Sequence, residues 1–364
     1  MSLSNITIRT LITLALWFAV HAESLAGPRV IGYFHNWTGK STEYIRLRDV
    51  PSLYNQVNVA FAVPDPKGSG AMVFTPAKQP PDEFKRDIAA LQARGTRVLL
   101  SIGGGNHPVV LNTRNQTQAF TRSLIGLIEK YGFNGIDINL EKHSLVLAPG
   151  DLDFRKPTSP RVVNLIEGIR NVVAKYDDSF VLSASPETQF LTAGHKRYGG
   201  EFGGYIPVLH ALRDHLDVVH MQYYNSGTQL VYDGKRINEK GLIVTKGTPD
   251  FVVALTEMLI LGFPVGLNPK QVFPGLGAEK IAIGLPATPS AASGGGYLTP
   301  AQLRAAMHYL LTGKPTYKTS YRLRNKDGHP ALAGLMTWSI NWDASTDGGT
   351  KPYAFAREAK TLWP

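Results

Sequence analysis

Short apolar runs rich in β-branched residues recur along this chain with helical segments between them, and that alternation limits the fold more than any other feature. The runs are Val30–Phe34, Gln56–Ala62, Arg97–Ile102, Gly135–Asn139, Val181–Ser185, Val218–Tyr223, Ile281–Leu285 and Gly334–Ser339, each of strand length. Between them, Asp82 to Arg94 places Phe84, Ile88 and Leu91 on one stripe and stops at Gly95. Gln116 to Tyr131 does the same with Phe120, Leu124 and Leu127 before Gly132. Pro160, after Ser159, opens a helix carrying Leu165, Ile169 and Val172, and Thr299-Pro300 opens another with Leu303 and Leu310 on its inner side. Strand–helix alternation implies parallel pairing, and eight strands imply closure, so the expected fold is α/β, a (β/α)8 barrel. The 364 residues, 43% of them hydrophobic, suffice for one such barrel. No repeat, low-complexity tract or linker divides them, and a single domain is predicted.

The first residues read differently. Arg9 precedes the apolar run Leu11 to Val20, which is short for a membrane span, and small residues follow it. This has the form of a secretory signal peptide over residues 1–26, cleaved after Ala22 or Ala26, with the barrel occupying 27–364. A secreted or periplasmic protein is expected, without a membrane span after cleavage. The chain has no cysteine, so neither disulfides nor thiol chemistry is available to it. Its 38 basic and 28 acidic residues give a net charge of +10, but the cations are spread rather than clustered, which argues against nucleic acid as a partner. The ten histidines form no metal-ligand spacing. His210, His215 and His220 recur in steps of five, which neither helix nor strand puts on one face, so they read as structural. No metal and no organic cofactor is expected, and the expected state is a monomer.

Function is most legible in residues 131–141, YGFNGIDINLE. Alternation sends Asp137, Asn139 and Glu141 to one face and Ile136, Ile138 and Leu140 to the other. A polar face ending in a glutamate suits chemistry inside a barrel rim, with the apolar face turned to the helices. The other strand ends are unusual as well. Ser101-Ile102-Gly103-Gly104-Gly105 lets backbone or ligand approach closely. Ser185-Pro186-Glu187, Gln222-Tyr223-Tyr224-Asn225, Tyr33-Phe34-His35-Asn36-Trp37 and Trp338-Ser339-Ile340-Asn341-Trp342-Asp343 add carboxylates, amides and three tryptophans. Aromatic faces stack on pyranose C–H faces while amides and carboxylates bind hydroxyls, so a sugar fits such a rim.

These motifs resemble family 18 glycoside hydrolases, in particular the single-domain bacterial chitinases. Asn134-Gly135-Ile136-Asp137-Ile138-Asn139-Leu140-Glu141 falls on the family's Asp-Gly-x-Asp-x-Asp-x-Glu motif, and Ser101-Ile102-Gly103-Gly104 on its Ser-x-Gly-Gly motif. Gln222–Asn225 and Met336–Asp343 match the family's strand-six and strand-eight segments, and all four occur in the family's order from about Val30 onward. The resemblance implies an endo-acting chitinase on chitin or N-acetylglucosamine oligomers. It implies retaining, substrate-assisted catalysis, in which Glu141 protonates the glycosidic oxygen, the sugar's own acetamido carbonyl attacks the anomeric carbon, and Glu141 then activates water. Tyr224 would hold the acetamido group, Trp338 would floor the sugar beneath it, and Asp137 would support its motif neighbours. Gln222, Asn225, Glu187, Trp37, Gly103 and Gly104 complete the expected substrate contacts, with a rim salt bridge as the competing reading of Glu187.

The chain departs from the family where aspartates become Asn134 and Asn139. Asn134 suits a turn or hydrogen-bonding role. Asn139 takes the place of the aspartate that, in the family, accepts the acetamido N–H and faces the positive charge developing on the intermediate. Loss of a charge-assisted bond costs about 1.5–3 kcal/mol, roughly 10- to 150-fold in rate. Removing a like charge near Glu141 should also lower its pKa relative to an aspartate variant. A slow chitinase is the expectation. An endo-β-N-acetylglucosaminidase on glycoprotein glycans, a weakly catalytic chitin-binding lectin, and transglycosylation are the alternatives.

Overall fold

The structure is a computed structural model that describes residues 27–39 and 41–363; the expected signal peptide lies outside the described residues. All eight expected runs are strands, with ends shifted by no more than two residues. They are β1 (Arg29–His35), β2 (Gln56–Pro64), β3 (Arg97–Gly103), β4 (Gly135–Asn139), β5 (Val181–Ala184), β6 (Val218–Gln222), β7 (Ile281–Pro286) and β8 (Gly334–Trp338). Each pairs in parallel with the next. Arg29 opposite Gly334 through Gly32 opposite Thr337 joins β1 to β8 and closes the barrel.

Six helices return the chain between strands: α1 (Pro81–Gln92), α2 (Arg114–Tyr131), α3 (Pro160–Val173), α4 (Tyr205–Leu212), α5 (Pro249–Leu261) and α6 (Pro300–Thr312). Capping boxes explain two of the starts, Thr113 with Gln116 before α2 and Thr299 with Gln302 before α6. Ser159 precedes α3 as expected, but its hydroxyl serves Asp151 instead of capping the helix. Between β1 and β2 the described residues form only a 3-10 turn, Leu47–Asp49. The α5 sequence shows no amphipathic stripe because Phe251 to Ile260 are buried on all sides.

Alternation along the strands divides the core into two layers. Val30 and Phe34 of β1, with Ile136 and Ile138 of β4, face the helices, as does Leu140 just beyond β4. Ile31 and Tyr33 face the barrel interior with Val218, Ala282 and Met336. Asp137 and Asn139 therefore point inward, and the chain beyond β4 delivers Glu141 to the C-terminal rim.

Candidate active site

Register builds the lower half of the site. Ser101 on β3, Asp137 on β4 and Ser183 on β5 lie side by side, so both hydroxyls reach the carboxylate. Oδ1 of Asp137 accepts from Ser183 Oγ at 2.7 Å and lies 3.0 Å from His220 Nε2. Oδ2 accepts from Tyr33 Oη at 2.5 Å and Ser101 Oγ at 2.7 Å. Burial alone would raise the pKa of this fully enclosed group. His220 and the hydroxyls of Tyr33 and Ser183 outweigh it and hold the carboxyl below its ordinary value. Asp137 is a fixed anion.

A chain of weaker contacts climbs from it. Asn139 Nδ2 donates to Tyr33 Oη at 3.3 Å, while Asn139 Oδ1 accepts from Gln222 Nε2 at 3.4 Å. The same Gln222 amide donates to the Ser185 carbonyl at 2.9 Å and reaches Glu141 Oε1 at 3.4 Å. Asn139 thus connects to Glu141 through Gln222. Burial raises the Glu141 pKa, opposed by the Gln222 contact and the charge of Lys142. Across the rim, Glu187 is pushed up to about 7, first by burial and then by the charge of Glu141, with Lys142 acting the other way.

These groups open into a cleft of about 720 Å³. Glu141, Glu187, Gln222, Tyr224, Asn225, Gly104, Trp37 and Trp338 all line it. Trp338 and Phe61 lie nearly parallel, with ring centroids 6.0 Å apart and planes 12° from each other, and Trp37 is 6.4 Å from Trp338. His35 stacks beneath Trp37 at 4.5 Å, and burial drives its pKa down to about 3, so the ring is neutral. Burial, followed by the charges of Glu141, Glu187 and Asp137, raises the Tyr224 pKa well above its usual value. Its hydroxyl makes no hydrogen bond among the described residues and is available as a neutral donor. Asn225 adopts φ +52°, and its Oδ1 accepts from Gly294 N at 2.7 Å, so its side chain holds a cleft loop.

The structure places the remaining expected residues as follows. Asp137 and Asn139 lie on the inward face of β4, beneath the cleft. Gly103 does not line it either: its φ is +98°, and a Cβ there would come 2.5 Å from the Asn139 carbonyl. Backbone packing therefore demands this glycine. Gly104 does line the cleft, yet its constraint is the Phe61 ring, 2.7 Å from where a Cβ would sit. Gly105 leaves room for the Glu141 carboxylate, whose Oε2 would be 2.7 Å from an added Cβ. Glu187 makes no salt bridge among the described residues. Of the three rim tryptophans, Trp342 packs on the outer core. Asp343 is taken up by Tyr54 Oη at 2.5 Å and the amides of Phe355 and Ala356. Asn134 does serve as a hydrogen-bonding residue, accepting from Val98 N at 2.9 Å.

Sequence reasoning missed Tyr33, Ser183 and His220 as the donors around Asp137, and Phe61 as a cleft wall. Inward alternation along β1, β5 and β6 marks the first three. His220 was read as structural and is buried, as that reading requires, but its partner is the central carboxylate. Phe61 carries no such signal.

Comparison with known proteins agrees with this geometry. The pattern of Glycosyl hydrolases family 18 matches residues 29–248. A chitinase of Paenibacillus xylanexedens is 47% identical over 318 residues, covering 87% of this chain and 59% of the relative. Chitinase D of Niallia circulans is 46% identical over 319 residues, with the same shares of 87% and 59%. The chain therefore spans about three-fifths of the length of these curated relatives. Among solved structures, a family GH18 chitinase from Chromobacterium violaceum superposes with a TM-score of 0.79 at 34% identity, over 92% of this chain and 83% of that one. With a closed eightfold barrel, a glutamate at the end of β4 and these relatives, the chain belongs to glycosyl hydrolase family 18.

Proposed function

We propose that the protein is an exported, endo-acting chitinase that cleaves β-1,4 bonds between N-acetylglucosamine units with retention, using the substrate's acetamido group as nucleophile. One observation carries this reading: Glu141 is a partly buried carboxyl with little hydrogen bonding, at the wall of an aromatic-floored cleft. Burial without strong donors favours the protonated form, which is the state a general acid must bring to the glycosidic oxygen. In this reading Glu141 gives its proton to the leaving oxygen and, once ionised, takes one from water. Tyr224 donates its free hydroxyl to the acetamido carbonyl and holds it for attack. Trp338, with Trp37 beside it, supports the sugar face. Gln222, Asn225, Glu187 and Gly104 border the bound oligomer, while Gly103 acts through the backbone.

Asp137 supplies a permanent negative charge under the site, and Asn139 offers a neutral acceptor where the family has a second carboxylate. Each Asp137 oxygen already receives two donors, so that carboxylate is held in place within the barrel, and the missing charge at Asn139 makes a slow enzyme the consequence. Residues 27–364 form the catalytic unit, which works as a monomer, and residues 1–26 direct export. N-acetylglucosamine hexamer, incubated with the mature protein and with Glu141→Gln, tests the reading. Oligomers of two to four units, produced only when Glu141 is intact, support endo-cleavage. Intact hexamer points to a glycoprotein glycan or to a lectin.

A further inference from the structure

We propose that Glu187 enters substrate binding as a neutral carboxylic acid and donates a hydrogen bond to a sugar oxygen on the cleft wall beside Glu141. This rests on the reading of the cleft as a chitooligosaccharide site. Pro186 and Glu187 follow β5, where Gln222 N donates to the Pro186 carbonyl at 2.9 Å and Glu187 bridges to Gln222 in parallel register. The backbone under Glu187 is therefore locked to the residue whose amide reaches Glu141. Its carboxyl lines the cleft and makes no hydrogen bond or ion pair among the described residues.

The surroundings favour a proton on this group. Glu141 opposes its ionisation, and Lys142 is the cation acting against that effect. Tyr224 and Tyr205 face it as phenols held neutral by burial. Asp137 lies deeper with all four acceptor positions filled, and His107 lines the same cleft. A carboxyl at about 7 is protonated through the acidic range and presents an O–H, which the ionised form lacks. The two glutamates thus divide the work: Glu141 passes its proton to the leaving oxygen, and Glu187 keeps its own and binds with it.

Calorimetry of N-acetylglucosamine tetramer binding between pH 5 and 9 tests this in the Glu141→Gln background, with and without Glu187→Gln. Without the Glu141 charge, Glu187 should titrate below its wild-type position and still above a free glutamate. Across that titration the tetramer should bind roughly 3- to 10-fold more weakly to Glu141→Gln, while the double variant stays flat because its amide donates at every pH. In turnover, KM of the wild type should rise above about pH 7 and KM of Glu187→Gln should not. Superimposable pH dependences in the two backgrounds would overturn the assignment. Absence of tetramer binding at every pH would overturn the glycan reading, and this inference with it.

Discussion

Asp137 and Glu141 are four residues apart, the first fully enclosed and the second partly buried in the cleft wall, and their pKa values move in opposite directions. Burial pushes both upward, and more strongly for the fully enclosed Asp137. The outcome is decided by donors. Asp137 receives three hydroxyls and an imidazole at 2.5–3.0 Å, whereas Glu141 receives one amide contact at 3.4 Å. A carboxyl surrounded by donors becomes a fixed charge, and one partly buried in the cleft wall with a single weak donor is suited to carry a proton. Strand register gives Asp137 its hydroxyls, and two further residues of chain carry Glu141 beyond the ladder, where backbone and hydroxyl donors are fewer.

The largest effects should separate these two roles. Glu141→Gln should lower kcat by about 10³-fold or more through loss of the proposed general acid. Its thermal midpoint at pH 7 should be equal or higher, because a buried group of raised pKa is destabilising when ionised. Asp137→Ala should do the reverse to stability, costing about 3–5 kcal/mol in a urea titration by leaving His220 and three hydroxyls without their acceptor. The native Asp137 pKa is depressed, so its contribution is fully present above the unfolded value of about 4 and is lost as pH falls through the lower folded value. Loss of stability below pH 4 that is equally steep in Asp137→Ala and in the wild type would contradict its role as a fixed anion.

Smaller effects should sharpen the contrast. Tyr224→Phe removes the free donor proposed to hold the acetamido carbonyl and should reduce kcat roughly 10- to 100-fold, with little change in midpoint. Asn139→Asp should raise kcat by about tenfold, since a charged acceptor is roughly twice as strong as a neutral one. An unchanged or lower kcat would show that Tyr33 and Gln222 have already adapted the site to the amide. The smallest shift is in pH. A second carboxylate linked to Glu141 through Gln222 should move the alkaline limb of the Asn139→Asp rate profile to higher pH than in the wild type, and movement the other way would break that linkage.

How much of this was legible in sequence follows from what is local and what is not. The strands were legible because apolar alternation is a property of adjacent residues, and Gly135–Asn139 matched residue for residue. α5 was not, because a helix buried on every side has no polar face to betray its period. Glu141, Tyr224 and Trp338 were legible as strand-end residues of unusual chemistry. The donors to Asp137 come from β1, β3, β5 and β6, and barrel closure with its register brings them together. Gly103 was assigned to a ligand, whereas its partner is the carbonyl of Asn139, a contact across β3 and β4 that spacing along the chain cannot reveal.

The most direct test is the anomeric form and length of the products from N-acetylglucosamine hexamer, followed by proton NMR at acidic pH with Glu141→Gln alongside. Shorter oligomers released first as β-anomers by the intact protein, with none from the folded Glu141→Gln variant, are the predicted result. Hexamer left whole, or products released as α-anomers, would contradict a proton-carrying Glu141 working with the substrate's own acetamido group.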